Sequence, residues 1–222
     1  MALEWLTFDC YGTLIDWEGG VFAALAPLLP PGVERDDLGR RYISAEAAIE
    51  AEAYLPYRDV LDRAGRAVLL DLGRALRPDE PNPLPDSVPA WAPFPEVPMA
   101  LKQLRERGLR LAVLSNVDRD LIAPSIARLG VTPDLVVTAE DCRSYKPAEG
   151  HWRRFERESG AGPETAIHVA ASQYHDIAPA TALGYRTVFV NRHAELIGDV
   201  EPAAQIPDLA SLPEAIARLS TG

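Results

Sequence analysis

Five short runs of largely apolar, β-rich residues are separated by segments of helical periodicity: Trp5–Phe8, Leu109–Leu114, Leu135–Thr138, Ile167–Ala170 and Thr187–Val190. Several are apolar on consecutive residues, the pattern of strands covered on both faces by helices. The expected fold class is therefore α/β, a doubly wound parallel sheet with its functional site at the carboxyl ends of the strands. With 222 residues, 47% of them hydrophobic, the chain can bury a full core without staples.

Between the first and second strands lie about a hundred residues, far more than one crossover helix needs. Arg40–Tyr54 is rich in Ala, Glu and Ile. Tyr57–Leu76 places Val60, Leu61, Ala64, Ala67, Val68, Leu72 and Leu76 close to a 3.6-residue period. Both segments read as helices of an insertion. A passage from Pro78 to Pro98 with eight prolines cannot continue a helix and reads as an extended return. The expected division is a core of residues 1–15 and 95–222 with an inserted helical cap of residues 16–94.

A formal net charge of −11, spread over short clusters of both signs, argues against a nucleic-acid partner. The two cysteines, Cys10 and Cys142, have neither disulfide nor zinc spacing. No apolar run approaches the roughly 20 residues of a membrane helix, and the Met-Ala-Leu-Glu-Trp start lacks a basic leader. A cytoplasmic protein with no membrane partner is expected.

Polar clusters follow several of these strands. Asp9 ends the first run in Phe8-Asp9-Cys10-Tyr11-Gly12-Thr13-Leu14, and Ser115-Asn116 ends the second. A later loop carries Tyr145-Lys146-Pro147, and Ser172-Gln173-Tyr174-His175-Asp176 follows the fourth strand. Singly, Asp9 reads as a turn residue, Ser115 and Ser172 as helix caps, Lys146 as a solvated charge and Asp176 as a first-turn helix charge. Their joint order is harder to explain that way.

That order resembles the haloacid dehalogenase superfamily, and within it the L-2-haloacid dehalogenases. The likeness runs the whole chain and includes Ala92-Pro93-Phe94-Pro95-Glu96-Val97-Pro98 as a cap exit and Leu111-Ala112-Val113-Leu114-Ser115-Asn116 as the second motif. It implies a Rossmann-like core with an inserted helical cap, Asp9 as nucleophile and an aspartyl-ester intermediate on a small halocarboxylate substrate. It further implies that Lys146 keeps Asp9 ionised and helps position the substrate. Ser115 and backbone amides after Asp9 would bind the substrate carboxylate, and Asn116 with a cap arginine would cradle the halide. Register selects Arg41 for that arginine, with Arg40 as the alternative. A homodimer through the cap also fits the resemblance.

Leaving-group chemistry separates this reading from a phosphatase. An alkoxide leaving a phosphate ester needs a proton, supplied in related phosphatases by a second Asp two residues after the nucleophile; here that position is Tyr11. The related phosphatases also offer Mg²⁺ a Gly-Asp pair where this chain has Ala170-Ala171. A metal-independent, cofactor-free carbon–halogen hydrolase is therefore expected. A magnesium-dependent phosphatase and a non-catalytic protein that kept the fold are the other readings.

The chain departs from the dehalogenase pattern at Ala171, Gln173 and His175, where Ser, Asn and Trp are expected, and at Trp152, where a Tyr is expected. His175, in the first turn of a helix capped by Ser172, could be a neutral base oriented by Glu18; otherwise Asp176 supports the hydrolytic water. Trp17, Tyr54, Trp91, Phe94 and Trp152 are candidates for pocket lining or cap core, and Tyr57 for packing at the helix junction.

Overall fold

The computed structural model describes residues 2–220; Met1, Thr221 and Gly222, at the ends of the expected core segments, lie outside them. Six strands form one parallel sheet: β1 Trp5–Phe8, β2 Arg110–Ser115, β3 Leu135–Thr138, β4 Ala166–Ala170, β5 Arg186–Val190 and β6 Ala204–Ile206. Their spatial order is β3-β2-β1-β4-β5-β6. β1 and β4 are buried at every residue. Side-chain alternation sends Leu6, Phe8, Val113 and Val169 into one layer and Trp5, Ala112, Leu114 and Ala166 into the other. Helices α5 Val97–Glu106, α6 Arg119–Arg128 and α10 Leu212–Ser220 contribute to the first layer; α8 Gly150–Ser159 and α9 Ala178–Ala182 cover the second. A short α7 spans Ala139–Cys142.

The strand order reverses at β1. The chain runs outward through β2 and β3, then returns to place β4 on the other side of β1. Such a reversal opens a crevice at the carboxyl ends of the strands. Asp9 is the first residue past β1 and therefore stands at this point.

Besides α5, four helices lie between β1 and β2: α1 Trp17–Leu25, α2 Arg35–Glu50, α3 Tyr57–Asp71 and α4 Leu84–Ser87. The chain leaves and returns through one paired crossing. Asp16 N donates to Ala92 O at 2.9 Å, and Phe94 N to Leu14 O at 3.0 Å. α3 buries Val60, Leu61, Ala64 and Val68 of the stripe expected from the sequence, with Tyr57 and Leu69 beside them, while Ala67 of that stripe is exposed.

Three boundaries differ from the sequence expectation. α2 begins at Arg35 and ends at Glu50, because Asp36 and Asp37 favour its first turn while Leu55 before Pro56 disfavours helix beyond it. α3 stops at Asp71 rather than Leu76: Gly73, at φ +83°, donates to Leu70 O and Arg74 N reaches Leu69 O, closing the helix end. The proline-rich return is not simply extended. Pro85 and Pro89 occupy first-turn positions of α4 and of a 3₁₀ turn, Val88–Ala90, where a missing N–H costs nothing.

Candidate active site

The site is built on Lys146, whose side chain is 1% exposed. Its three N–H bonds go to Asp9 Oδ1 at 2.9 Å, Asp176 Oδ1 at 2.6 Å and the Leu114 carbonyl at 3.1 Å. Asn116 holds the lysine's backbone from both sides: Lys146 N donates to Asn116 Oδ1 at 2.7 Å, and Asn116 Nδ2 donates to Lys146 O at 3.1 Å. The loop end of β2 thereby sets the height of the ammonium between the ends of β1 and β4.

The second oxygen of Asp9 accepts from Thr13 Oγ1 at 2.7 Å, and Thr13 Oγ1 accepts in turn from Ala171 N at 2.9 Å. Gly12, at φ +94°, makes the turn that brings Thr13 back, and a Cβ there would meet the Trp17 ring at 3.1 Å. Replacing Thr13 with the near-isosteric Val strands two buried groups. The expected loss is about 1–3 kcal/mol of stability, read by denaturant unfolding, together with a fall in turnover.

Asp176 has a second buried partner that sequence reading missed. His168 Nε2 lies 3.0 Å from Asp176 Oδ1, and His168 Nδ1 lies 2.8 Å from Thr7 Oγ1. The Nε2–H tautomer satisfies both contacts, with Thr7 donating. Thr7 and His168 are register partners on β1 and β4. Two polar residues inside wholly buried strands were the available signal.

Although burial opposes it, the Lys146 charge and the His168 hydrogen bond hold Asp176 well below the usual carboxylate range. Burial pushes the Asp9 carboxyl up, with the Asp176 charge adding to the rise, while Lys146 and Thr13 pull against it. Burial also works against the Lys146 charge, but the two carboxylates hold the ammonium above its usual value. The arrangement thus pairs one strongly stabilised anion with a more basic carboxylate. A less stabilised carboxylate is the better nucleophile.

Above Asp9 lies a cavity of about 500 Å³, lined also by Tyr11, Trp17, Glu18, Trp91, Ser115, Asn116, Gln173, His175, Asp176 and Arg192. α2 supplies the facing wall with Tyr42, Ile43, Glu46, Ala47 and Glu50. Ser115 Oγ is buried without a hydrogen-bond partner. Tyr11 turns its hydroxyl onto Ser125 Oγ at 3.0 Å, its ring meets Trp91 edge-on, and burial pushes its phenol far up. Its hydroxyl is not directed at Asp9.

Several expected site residues stand elsewhere. Arg41 does not face the cavity: its guanidinium binds Asp37 at 2.8 Å and Asp71, while Arg40 binds Asp37 at 3.2 Å. The reason is helical phase. Tyr42, Glu46 and Glu50 form the i, i+4, i+8 stripe toward the cavity, and Arg41 is one residue off it. The guanidinium that does line the cavity is Arg192, just beyond β5; it donates to Thr13 O at 2.8 Å, pairs with Glu96 and stacks on Phe94.

Glu18 does not pair with His175. It lies 3.4 Å from His193, beside the loop after β5, whereas His175 Nε2 lies 3.8 Å from Glu50 at the end of α2. Ser172 Oγ accepts from His175 N at 3.1 Å and meets His175 Nδ1 at 3.1 Å; burial lowers the His175 pKa. Gln173 holds the following loop, donating to Leu196 O at 2.9 Å and accepting from Gly198 N at 2.7 Å. Trp152 is sealed in the lower core against His168, away from the cavity, and Phe94 lies beneath Arg192 in a neighbouring cleft. Tyr54 stacks on Tyr145 at the mouth of another cleft, and Tyr57 joins Tyr42 in donating to Glu46.

The residues do not fit a divalent cation. Asp9 and Asp176 are tied by one ammonium, and among the described residues no group of three or more His, Cys, Asp or Glu could hold a metal ion. Nor is any helix among them long and apolar enough to cross a membrane.

Residues 3–184 match the haloacid dehalogenase-like hydrolase family. The haloacetate dehalogenase H-2 of Moraxella sp. (strain B) is 29% identical, the match covering 93% of this chain and 92% of that one. The (S)-2-haloacid dehalogenase of Pseudomonas sp. (strain YL) is 26% identical over 93% of this chain and 89% of its own. The crystal structure of the L-2-haloacid dehalogenase RSc1362 superposes with a TM-score of 0.87 at 25% identity, covering 98% of this chain and all of that one (100%). With that match over most of its length, and a buried carboxylate at the strand-order reversal, the chain belongs to the haloacid dehalogenase-like hydrolase family.

Proposed function

We propose that the protein hydrolyses the carbon–halogen bond of small 2-haloacids through an ester on Asp9, without a metal ion. The observation that carries this reading is the single ammonium of Lys146 tying Asp9 to Asp176 beneath the cavity. It keeps a basic carboxylate in place with no metal ligand set around it. The names of the similar dehalogenases from Moraxella and Pseudomonas support the same substrate class.

Asp9 attacks the halogen-bearing carbon in line, forming a C–O bond as the C–X bond breaks. The unpartnered Ser115 hydroxyl is free to donate to the substrate carboxylate. Water then attacks the ester carbonyl. His175, kept neutral by burial and reaching the cavity, takes the water proton. Asp176 is the fixed anion that orients Lys146, and His168 in turn orients Asp176.

In the same proposal, residues 16–94 act as a cap hinged at the Asp16–Ala92 and Leu14–Phe94 crossing, with residues 1–15 and 95–222 as the core. Ile43 and Leu70, on α2 and α3, expose apolar surface in keeping with a homodimer through that cap. The unpaired Cys10 and Cys142 fit the reducing cytoplasm.

Halide release from bromo- and chloroacetate and from 2-chloropropionate, measured with EDTA present, tests the reading. Steady turnover is expected. Activity confined to phosphate esters in the presence of Mg²⁺ would replace it with the phosphatase reading, and no turnover of either class with the non-catalytic one.

A further inference from the structure

The cavity above Asp9, about 500 Å³, is of the size that holds a drug-sized ligand, and a two-carbon haloacid leaves most of it unfilled. What faces that space from α2 is acidic. Helical phase places Glu46 and Glu50 one turn apart on the cavity face, where two ionised carboxylates repel each other. Glu46 accepts from the Tyr42 and Tyr57 hydroxyls. Glu50 is 8% exposed at its side chain; its nearest charged-type partner, the His175 ring, is 3.8 Å away, and the Asn116 amide beside it donates to Lys146 O. Among the described residues no lysine or arginine forms an ion pair with either carboxyl. Lys146 is committed to Asp9 and Asp176, Arg192 to Thr13 O and Glu96, and Arg143, in the adjoining cleft, stacks on Tyr54.

The cavity is also aromatic. Trp17 and Tyr42 line it with ring centroids 5.5 Å apart, and Trp91 lines it as well. The faces of such rings attract organic cations, most of all alkylated ammonium groups. Carboxyls without a cation and rings in one cavity are the complement of such a group.

Resting on the dehalogenase reading above, we propose that the α2 side of the cavity is a subsite for an organic cation, so that the preferred substrate is a 2-haloacid carrying an alkylated ammonium group on its chain. The halogen-bearing carbon meets Asp9 and the substrate carboxylate meets Ser115, while the ammonium lies against Glu46 and Glu50 and the rings of Trp17 and Tyr42. The displacement at Asp9 is unchanged, and the ammonium passes intact into the hydroxyacid.

Burial pushes Glu50 up to about 9, with the Glu46 charge adding to the rise and Lys146 and Asn116 opposing it. Tyr42 and Tyr57 from α2 and α3, Tyr145 from the loop before α8 and His175 from the turn after β4 are the other titratable groups facing it. In the free protein at neutral pH Glu50 therefore holds its proton. A cation placed beside it lowers its pKa and releases that proton, so binding of the cation strengthens as pH rises toward about 9 and levels off above it.

The first arm of the test is kcat/KM for 2-bromo-4-(trimethylammonio)butanoate and for its uncharged isostere 2-bromo-5,5-dimethylhexanoate, with wild-type protein and Glu50→Gln. The expected result is a preference of about 30-fold for the ammonium substrate in the wild type, falling to about threefold or less in the variant. The second arm needs neither turnover nor the variant: calorimetry of wild-type protein with unreactive 4-(trimethylammonio)butanoate at pH 7, in two buffers of different ionisation enthalpy. Release of about one proton per ligand bound is expected, and none with 5,5-dimethylhexanoate. Equal kcat/KM for the two bromoacids in the wild type, a preference that survives Glu50→Gln, or binding of the ammonium ligand without proton release would overturn the proposal. Bromide release from bromoacetate with no preference within the pair removes the subsite and keeps the dehalogenase reading. Proton-linked binding with no bromide release from any substrate keeps the subsite and removes that reading.

Discussion

Asp9→Asn is expected to lower halide release by about 10⁴-fold or more while leaving the fold in place. The substitution keeps the volume and removes the charge. An amide oxygen can still accept from Lys146 or Thr13, which now bond the two carboxylate oxygens. What it cannot do is attack carbon with a full negative charge, and the neighbouring Asp176 is no substitute: it is held far below the usual carboxylate range by Lys146 and His168, so it is the poorer nucleophile. Bromoacetate turnover and circular dichroism on the purified variant check both halves. A residual rate above about 1% of wild type would mean that another group carries the first step.

Lys146→Met is expected to cost stability as well as activity. Removing the ammonium leaves Asp9 and Asp176 facing each other, with side chains only 11% and 1% exposed. Breaking a buried pair by deleting one partner costs about 3–5 kcal/mol, a fall in Tm of about 10 °C for a chain of this size. The pH dependence has a definite sign. In the wild type the Asp176 pKa is depressed, so its contribution is fully present above the unfolded value and is lost as pH falls through the folded one. In the variant both carboxyls lose their cation and protonate more readily. The gap in Tm should therefore be widest near neutral pH and narrow below about pH 4. A constant gap across that range would show that packing, not charge, sets the loss.

The parts of this protein legible in its sequence were those with strong periodic signals. β1 and β3 fall where their apolar runs lie, and Val60, Leu61, Ala64 and Val68 of the buried face of α3 follow from spacing alone. β6, Ala204–Ile206, carries no such signal: three residues, one of them Gln, become a strand only because the edge of β5 is there to pair with. The cavity face of α2 was misjudged for a related reason. An arginine looks like a ligand for an anion, but a helix presents residues by phase, and the phase that buries Leu38 and Tyr42 puts Glu46 and Glu50 inward and leaves Arg41 on Asp37 and Asp71. His168 was missed because a polar residue in a strand is informative only when its register partner, Thr7, is known.

The central claim is that Asp9 carries the substrate as an ester. It is tested most directly by a single turnover of bromoacetate with excess enzyme in ¹⁸O-water, followed by mass analysis of the peptide containing Asp9 and of the glycolate formed. The account predicts ¹⁸O in the Asp9 carboxyl and unlabelled glycolate, since water attacks the ester carbonyl and the product keeps the oxygen of Asp9. Labelled glycolate with an unlabelled Asp9 would mean that water displaces the halide directly, and would contradict it.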